Sequence, residues 1–334
     1  MRKRIYTIIL VVVMLLTTLT ACGNTNSNKD SNGLTKITFV LDWTPNTNHT
    51  GLYVAQEMGY FKEAGLEVEI VQPPEDGAEV LVASGKAQFG VSFQDSLAPA
   101  FAGENPHPIS AVASIIQHNT SGIISRAGEG MHTPKGMEGH TYSTWNGTIE
   151  LATLKEVVEE DGGDFDKIEL IPSKVTDEVS ALKTKSTDSI WIFYAWAGVK
   201  TELEGLKTDY FAFADIDPVF DYYTPVIISG NQFLEQNPDT AKGFLSALSK
   251  GYQYAIEHPE EAADVLCKAA PELDKELVVA SQKYLAKEYQ SDAQYWGQID
   301  PERWNNFYNW VNENNLVEGK IPENTGFSNE YLPK

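Results

Sequence analysis

From Lys36 to Ser229 short β-branched runs alternate with helical stretches, and this rhythm limits the fold more than any other feature of the chain. Strands separated by helices need crossover connections, and crossovers bury a largely parallel sheet between helical layers. Lys36–Leu41, Leu66–Val71 and Phe89–Ser92 read as strands, and Ile109–Ile116 and Gly122–Ser125 follow as a longer and a short apolar run. Gly51–Met58 and Gly77–Ser84 read as helices, the second closed by Gly85. Asp95 stands where it can cap the next helix. A second series repeats the pattern. His140–Trp145, Lys167–Ile171, Ser189–Phe193 and Phe211–Ala214 are its extended runs, Thr148–Glu160 and Thr176–Lys185 its helices, and Tyr223–Ser229 an extended return. From Gln232 to Val317 the pattern is almost wholly helical, broken at Pro238, Pro259, Pro271 and Pro301. Trp304, Phe307 and Trp310 recur there at helical spacing and read as core.

Two such series, the second framed by extended segments on both sides, predict an α/β fold in two lobes with a helical C-terminal part. A chain of 334 residues is long enough for two units. Lobe I is expected at 35–124 plus 226–334 and lobe II at 125–225. The chain would cross between them near Gly122–Arg126 and again near Tyr223–Ile228.

The N-terminus bears on the compartment. Met1–Arg4 is basic, and Ile5–Leu19 is apolar and uncharged but shorter than the ~20 residues of a membrane span. Leu19-Thr20-Ala21-Cys22 then resembles a bacterial lipobox. The expectation is a signal peptide over 1–21, lipid attachment at Cys22 and a flexible Asn/Ser-rich tether over 22–34. This would hold a globular body at the extracytoplasmic face of the cell membrane. The two cysteines, Cys22 and Cys267, exclude a disulfide framework; Cys267 sits in an amphipathic pattern with Ala262, Ala263 and Leu266 and reads as a small buried hydrophobe. With 25 basic against 47 acidic residues, a net charge of −22 argues against nucleic acid as a partner.

The stretch Leu41–Phe61, LDWTPNTNHTGLYVAQEMGYF, resembles the periplasmic-type binding proteins and synthases that handle the pyrimidine half of thiamine. Ser84–Val91 (SGKAQFGV), Lys135–Gly139 (KGMEG) and Trp191–Trp196 (WIFYAW) agree with that family, and the likeness runs from about residue 36 to about 330. The resemblance implies a type II periplasmic-binding-protein-like fold. It implies a monomeric solute-binding lipoprotein of an ABC importer, working with permease subunits and without a cofactor. The ligand implied is a thiamine pyrimidine precursor, N-formyl-4-amino-5-aminomethyl-2-methylpyrimidine, destined for salvage. Thiamine, riboflavin or another heterocycle remains open as cargo. The less favoured alternative is a pyrimidine synthase on the same fold: that branch shares the first block, including the histidine at His49, but carries an iron-bearing cysteine cluster that a body with one cysteine cannot form, which favours the transport branch.

Ligands in two-lobed α/β folds sit outside the carboxyl ends of strands. A flat pyrimidine needs aromatic faces and a few donors and acceptors. The loops after strands supply Asp42, Trp43, Asn46 and His49; Phe93 and Gln94; Trp145 and Asn146; and Tyr194 and Trp196. The returning crossing adds Asp221 and Tyr222, and His118 is a further candidate. There is no phosphate-binding Gly-Lys-Ser/Thr loop and no nucleophile elbow, since Gly90-Val91-Ser92-Phe93-Gln94 lacks the final glycine. The six histidines show no metal-ligand spacing, so neither a catalytic residue nor a metal ligand is expected.

Overall fold

The computed structural model describes residues 33–334 apart from Asp76 and Lys174. The expected signal segment, Cys22 and the tether up to residue 32 lie outside the described residues. Among the described residues ten strands form in chain order: β1 (Thr35–Val40), β2 (Leu66–Val71), β3 (Phe89–Ser92), β4 (Ile109–Ser114), β5 (Ser121–Arg126), β6 (Thr141–Thr144), β7 (Glu169–Pro172), β8 (Ser189–Phe193), β9 (Thr208–Ala212) and β10 (Val226–Gly230). They make two five-stranded sheets, ordered β2-β1-β3-β10-β4 and β7-β6-β8-β5-β9.

The two orders are equivalent. In each sheet three parallel strands of a local series are followed by a strand that arrives from the other lobe, and that strand runs antiparallel to its neighbours. The alternating rhythm therefore gives mixed rather than all-parallel sheets. A strand entering from across the molecule reaches the sheet from the opposite end. The first crossing also lies earlier than expected. Gly122–Arg126 is part of β5, inside the second sheet, so the chain leaves the first sheet at Ser114 and enters the second at Ser121. The return crossing runs from the end of β9 at Ala212 to β10 at Val226.

Sequence pattern explains strand position. β2, LEVEIV, buries Leu66 and Val68 and exposes Glu67 and Glu69, as an edge strand does, whereas β3 and β10 are buried along their whole length. The C-terminal helices Pro238–Glu257, Pro259–Ala269 and Pro301–Glu313 each begin with proline, whose missing N–H costs nothing at a first turn. Phe39, Phe61 and Phe89 stack around Phe244 of the Pro238–Glu257 helix. That helix crosses Thr50–Glu57 through glycines: a Cβ on Gly251 would lie 2.0 Å from the Gly51 carbonyl oxygen, and one on Gly51 would lie 2.4 Å from the Tyr252 ring. Trp304, Phe307 and Trp310 are core, as their spacing implies. Cys267 is half-buried beside Ala263 and Leu266 rather than enclosed. Asp95 is not a cap. Phe93 holds the N-cap position, and Asp95 lies in the first turn, where burial pushes its carboxyl up to about 6.

Candidate functional site

A cleft of about 370 Å³ opens where the carboxyl ends of strands from both sheets face each other. The loop after β1 contributes Asp42, Trp43, Asn46 and Asn48, and the residue after β3 is Phe93. The second lobe contributes Trp145 after β6, Glu178 after β7, Trp191 and Phe193 of β8, and Trp196. Trp43 and Trp145 are large apolar side chains left 52% and 46% exposed, and folding would have covered them had they been core residues. Trp145 meets Trp191 edge-on at 5.4 Å, and Phe93 stacks on Phe193 across the lobes at 6.1 Å. Among the described residues no Lys or Arg lines this cleft.

Each wall is built by identifiable local chemistry. Asn46 opens a 3-10 turn, its side chain accepting from the Asn48 N–H at 2.9 Å. Behind it, Tyr289 and Tyr252 donate to the carbonyls of Thr47 and Asn48, each at 2.6 Å, which fixes the loop to the C-terminal helices. His49 is only 1% exposed and does not face the cleft. Its Nδ1 accepts from the Asn46 N–H at 3.2 Å, so its ring proton sits on Nε2 and is donated to Asp42 at 2.6 Å. His49 thus aims the carboxylate that does line the cleft.

On the facing wall Glu150, buried, holds the Trp145 loop. It accepts from the hydroxyls of Tyr142 and Thr144 at 2.7 and 3.0 Å and from the Gly147 N–H at 2.9 Å. Burial, with the Glu150 charge beside it, pushes the Tyr142 phenol far up. Asn146 takes the left-handed conformation, φ 60°, with its N–H on the Thr144 hydroxyl; it shapes the turn and is not among the cleft-lining residues. Gly147 leaves room for the indole, since a Cβ there would lie 2.5 Å from Trp145 Nε1. Glu178 begins the Glu178–Thr184 helix, and burial raises its carboxyl above the usual range.

Of the residues expected from sequence, Asp42, Trp43, Asn46, Phe93, Trp145 and Trp196 line the cleft. The others do not. Gln94 is fully buried and spans two segments. Its Nε2 donates to the Trp304 carbonyl and its Oε1 accepts from the Tyr223 N–H, both at 2.9 Å. Tyr194 turns outward to Glu202, Tyr210 and, across the lobes, Tyr284. Tyr222 is core, stacked on Phe307 at 4.1 Å. His118 and Asp221 join the two crossings: His118 Nδ1 and Asp221 stand 2.7 Å apart, Asp221 also accepts from the Asn119 N–H at 2.9 Å, and Asp292 lies 3.1 Å from His118 Nε2. Sequence reasoning missed Trp191, Phe193, Asn48 and Glu178. The strand Ser189-Ile-Trp-Ile-Phe193 carried a signal for the first two, because Ile190 and Ile192 are buried while Trp191 and Phe193 fall on the alternate face.

Two matched α/β lobes, two crossings between them and an aromatic cleft at the strand ends define a periplasmic-binding-protein-like fold. The chain belongs to the NMT1/THI5 like family, whose model matches residues 46–262. It is 28% identical over 326 residues to the formylaminopyrimidine-binding protein of Halalkalibacterium halodurans, covering 96% of this chain and 97% of that one. It is 26% identical over 257 residues to the 4-amino-5-hydroxymethyl-2-methylpyrimidine phosphate synthase of Legionella pneumophila, covering 71% and 75%. Among solved structures the alkanesulfonate-binding protein SsuA of Xanthomonas axonopodis superposes with a TM-score of 0.66 at 11% identity, covering 88% of this chain and 98% of that one. The desulfurization enzyme DSZB superposes equally, at 12% identity, covering 89% and 97%. Both share the fold. Among the described residues no group of His, Cys, Asp or Glu is arranged to hold a metal ion, and no helix is long and apolar enough to cross a membrane.

Proposed function

We propose that this protein captures a thiamine-type aminopyrimidine, with N-formyl-4-amino-5-aminomethyl-2-methylpyrimidine as the first candidate, and delivers it unchanged to the permease of an ABC importer. The observation that carries this reading is the composition of the cleft. Indoles from both lobes offer flat apolar faces, while Asp42 and Glu178 offer acceptors from opposite sides. Among the described residues a sulfonate or other anion would meet two carboxylates and no cation there, an arrangement that repels it. An aminopyrimidine presents N–H donors on its edge and π faces above and below, and the cleft matches both.

In scale the site suffices. Aromatic pairs contribute about 0.5–1.5 kcal/mol each beyond burial. A hydrogen bond to a charged acceptor contributes about 1.5–3 kcal/mol. The similarity to the formylaminopyrimidine-binding protein extends over nearly all of both chains. Lipid attachment at Cys22 would keep the loaded protein near its permease, and hinge bending at the two crossings would close the lobes on the ligand.

A second reading, thiamine as cargo, draws on the same two carboxylates, which would also receive a cationic heterocycle. Calorimetric titration with the formylaminopyrimidine, the free aminomethylpyrimidine, thiamine, riboflavin and an alkanesulfonate tests the proposal. The expected result is tightest binding of a pyrimidine without turnover. Preference for the sulfonate, or chemical conversion of the pyrimidine, overturns it.

A further inference from the structure

Glu178 stands apart from the other acidic groups near the cleft. It lines the main cleft and also the adjoining cavity of about 330 Å³, which shares Trp43, Trp145 and Trp191 with it. Its neighbour Asp177, not Glu178, caps the helix by accepting from the Ser180 N–H at 3.3 Å, and Asp177 also takes Lys200 at 3.1 Å. The charged groups that bear on Glu178 are Lys200 and Asp177, and Asp42 lines the same cleft from the other lobe. Among the described residues no side chain donates a hydrogen bond to the Glu178 carboxyl, which is met only by its own backbone N–H, a contact that opposes the effect of burial. Asp42 differs, since its Oδ1 is already committed to His49.

The edge of a 4-aminopyrimidine sets a ring-nitrogen acceptor beside an exocyclic N–H donor. A bare carboxylate satisfies the donor but turns its second oxygen, lone pair to lone pair, toward the ring nitrogen. One proton between that oxygen and the ring nitrogen turns the clash into a second hydrogen bond. We propose that Glu178 reads this edge by sharing one proton with the ring, so that ligand capture takes up a proton from solvent. This inference rests on the aminopyrimidine reading above. No covalent bond changes; the proton resides on the carboxyl or on the ring, and the pair carries the same total charge either way. The burial that raises the Glu178 carboxyl favours proton uptake in the same direction.

The test is calorimetric titration of the full chain with the formylaminopyrimidine at pH 6 to 8, in buffers of differing ionisation enthalpy. The expected uptake rises toward about one proton per ligand at the alkaline end, with affinity falling up to about tenfold per pH unit once the free carboxyl is ionised. Glu178→Gln offers the same donor and acceptor pair without a proton. It should bind with no proton uptake and a flat pH profile, while Glu178→Ala loses most of the affinity. Binding by the unmodified protein without proton uptake, or an unchanged pH slope in Glu178→Gln, overturns this inference alone. Absence of binding by the unmodified protein at every pH overturns the pyrimidine reading and this inference with it.

Discussion

Replacing Gln94 by Leu separates a structural role from a ligand contact. Gln94 is fully buried beside β3, and its amide joins the return crossing, at Tyr223, to the C-terminal helix, at Trp304. Leucine fills a similar volume, so no large cavity opens. The Tyr223 N–H, however, loses its acceptor while staying buried, at about 1–3 kcal/mol, and the bond to the Trp304 carbonyl accounts for about 1 kcal/mol more. The sum, about 2–4 kcal/mol, corresponds to roughly 1 M in the urea midpoint for a protein of this size. Urea unfolding followed by tryptophan fluorescence measures that shift, and titration of the formylaminopyrimidine under native conditions measures affinity. The expected outcome is a lower midpoint with affinity within about threefold of the unmodified protein, a difference under about 0.7 kcal/mol. An unchanged midpoint accompanied by a large loss of affinity would refute the reasoning and return Gln94 to the ligand.

Trp43→Ala should show the reverse. It removes an exposed indole from the cleft and should weaken pyrimidine binding about 10–100-fold with little effect on stability. Gly147→Ala places a Cβ 2.5 Å from Trp145 Nε1 and should displace that indole, lowering affinity more than the melting temperature. Gly251→Ala, whose Cβ would meet the Gly51 carbonyl, should cost about 1–3 kcal/mol by chemical denaturation and spare the cleft chemistry. The hydrogen bond to Asp221 is the main cause that raises the His118 pKa above its ordinary 6.5. A raised folded-state pKa means that its stabilising contribution is complete below pH 6.5 and fades as pH rises through the higher folded value. Denaturation of His118→Asn and the unmodified protein should therefore differ most at acid pH and converge as pH rises; a constant difference would contradict the ion-pair assignment.

Sequence carried the fold well because both periodicities were strong. Leu66–Val71, Phe89–Ser92, Thr148–Glu160 and Ser189–Phe193 have the boundaries that pattern alone predicts. It failed on direction within a loop. Phe93 and Gln94 are adjacent, yet the first faces the cleft and the second the core, because the helix starts between them and rotates successive side chains apart. His49 was legible as important but not as a group acting through Asp42, because that bond spans seven residues and depends on the 3-10 turn. His118, Asp221 and Tyr222 sit on the crossings, where sequence gives position but not partner. Glu178 was hidden as an ordinary first-turn acid.

The most direct measurement is a crystal structure of the protein with N-formyl-4-amino-5-aminomethyl-2-methylpyrimidine. The ring should lie among Trp43, Trp145 and Trp191, its amino edge toward Glu178 and Asp42. A ring bound away from these indoles, or a cleft that closes without it, would contradict the account.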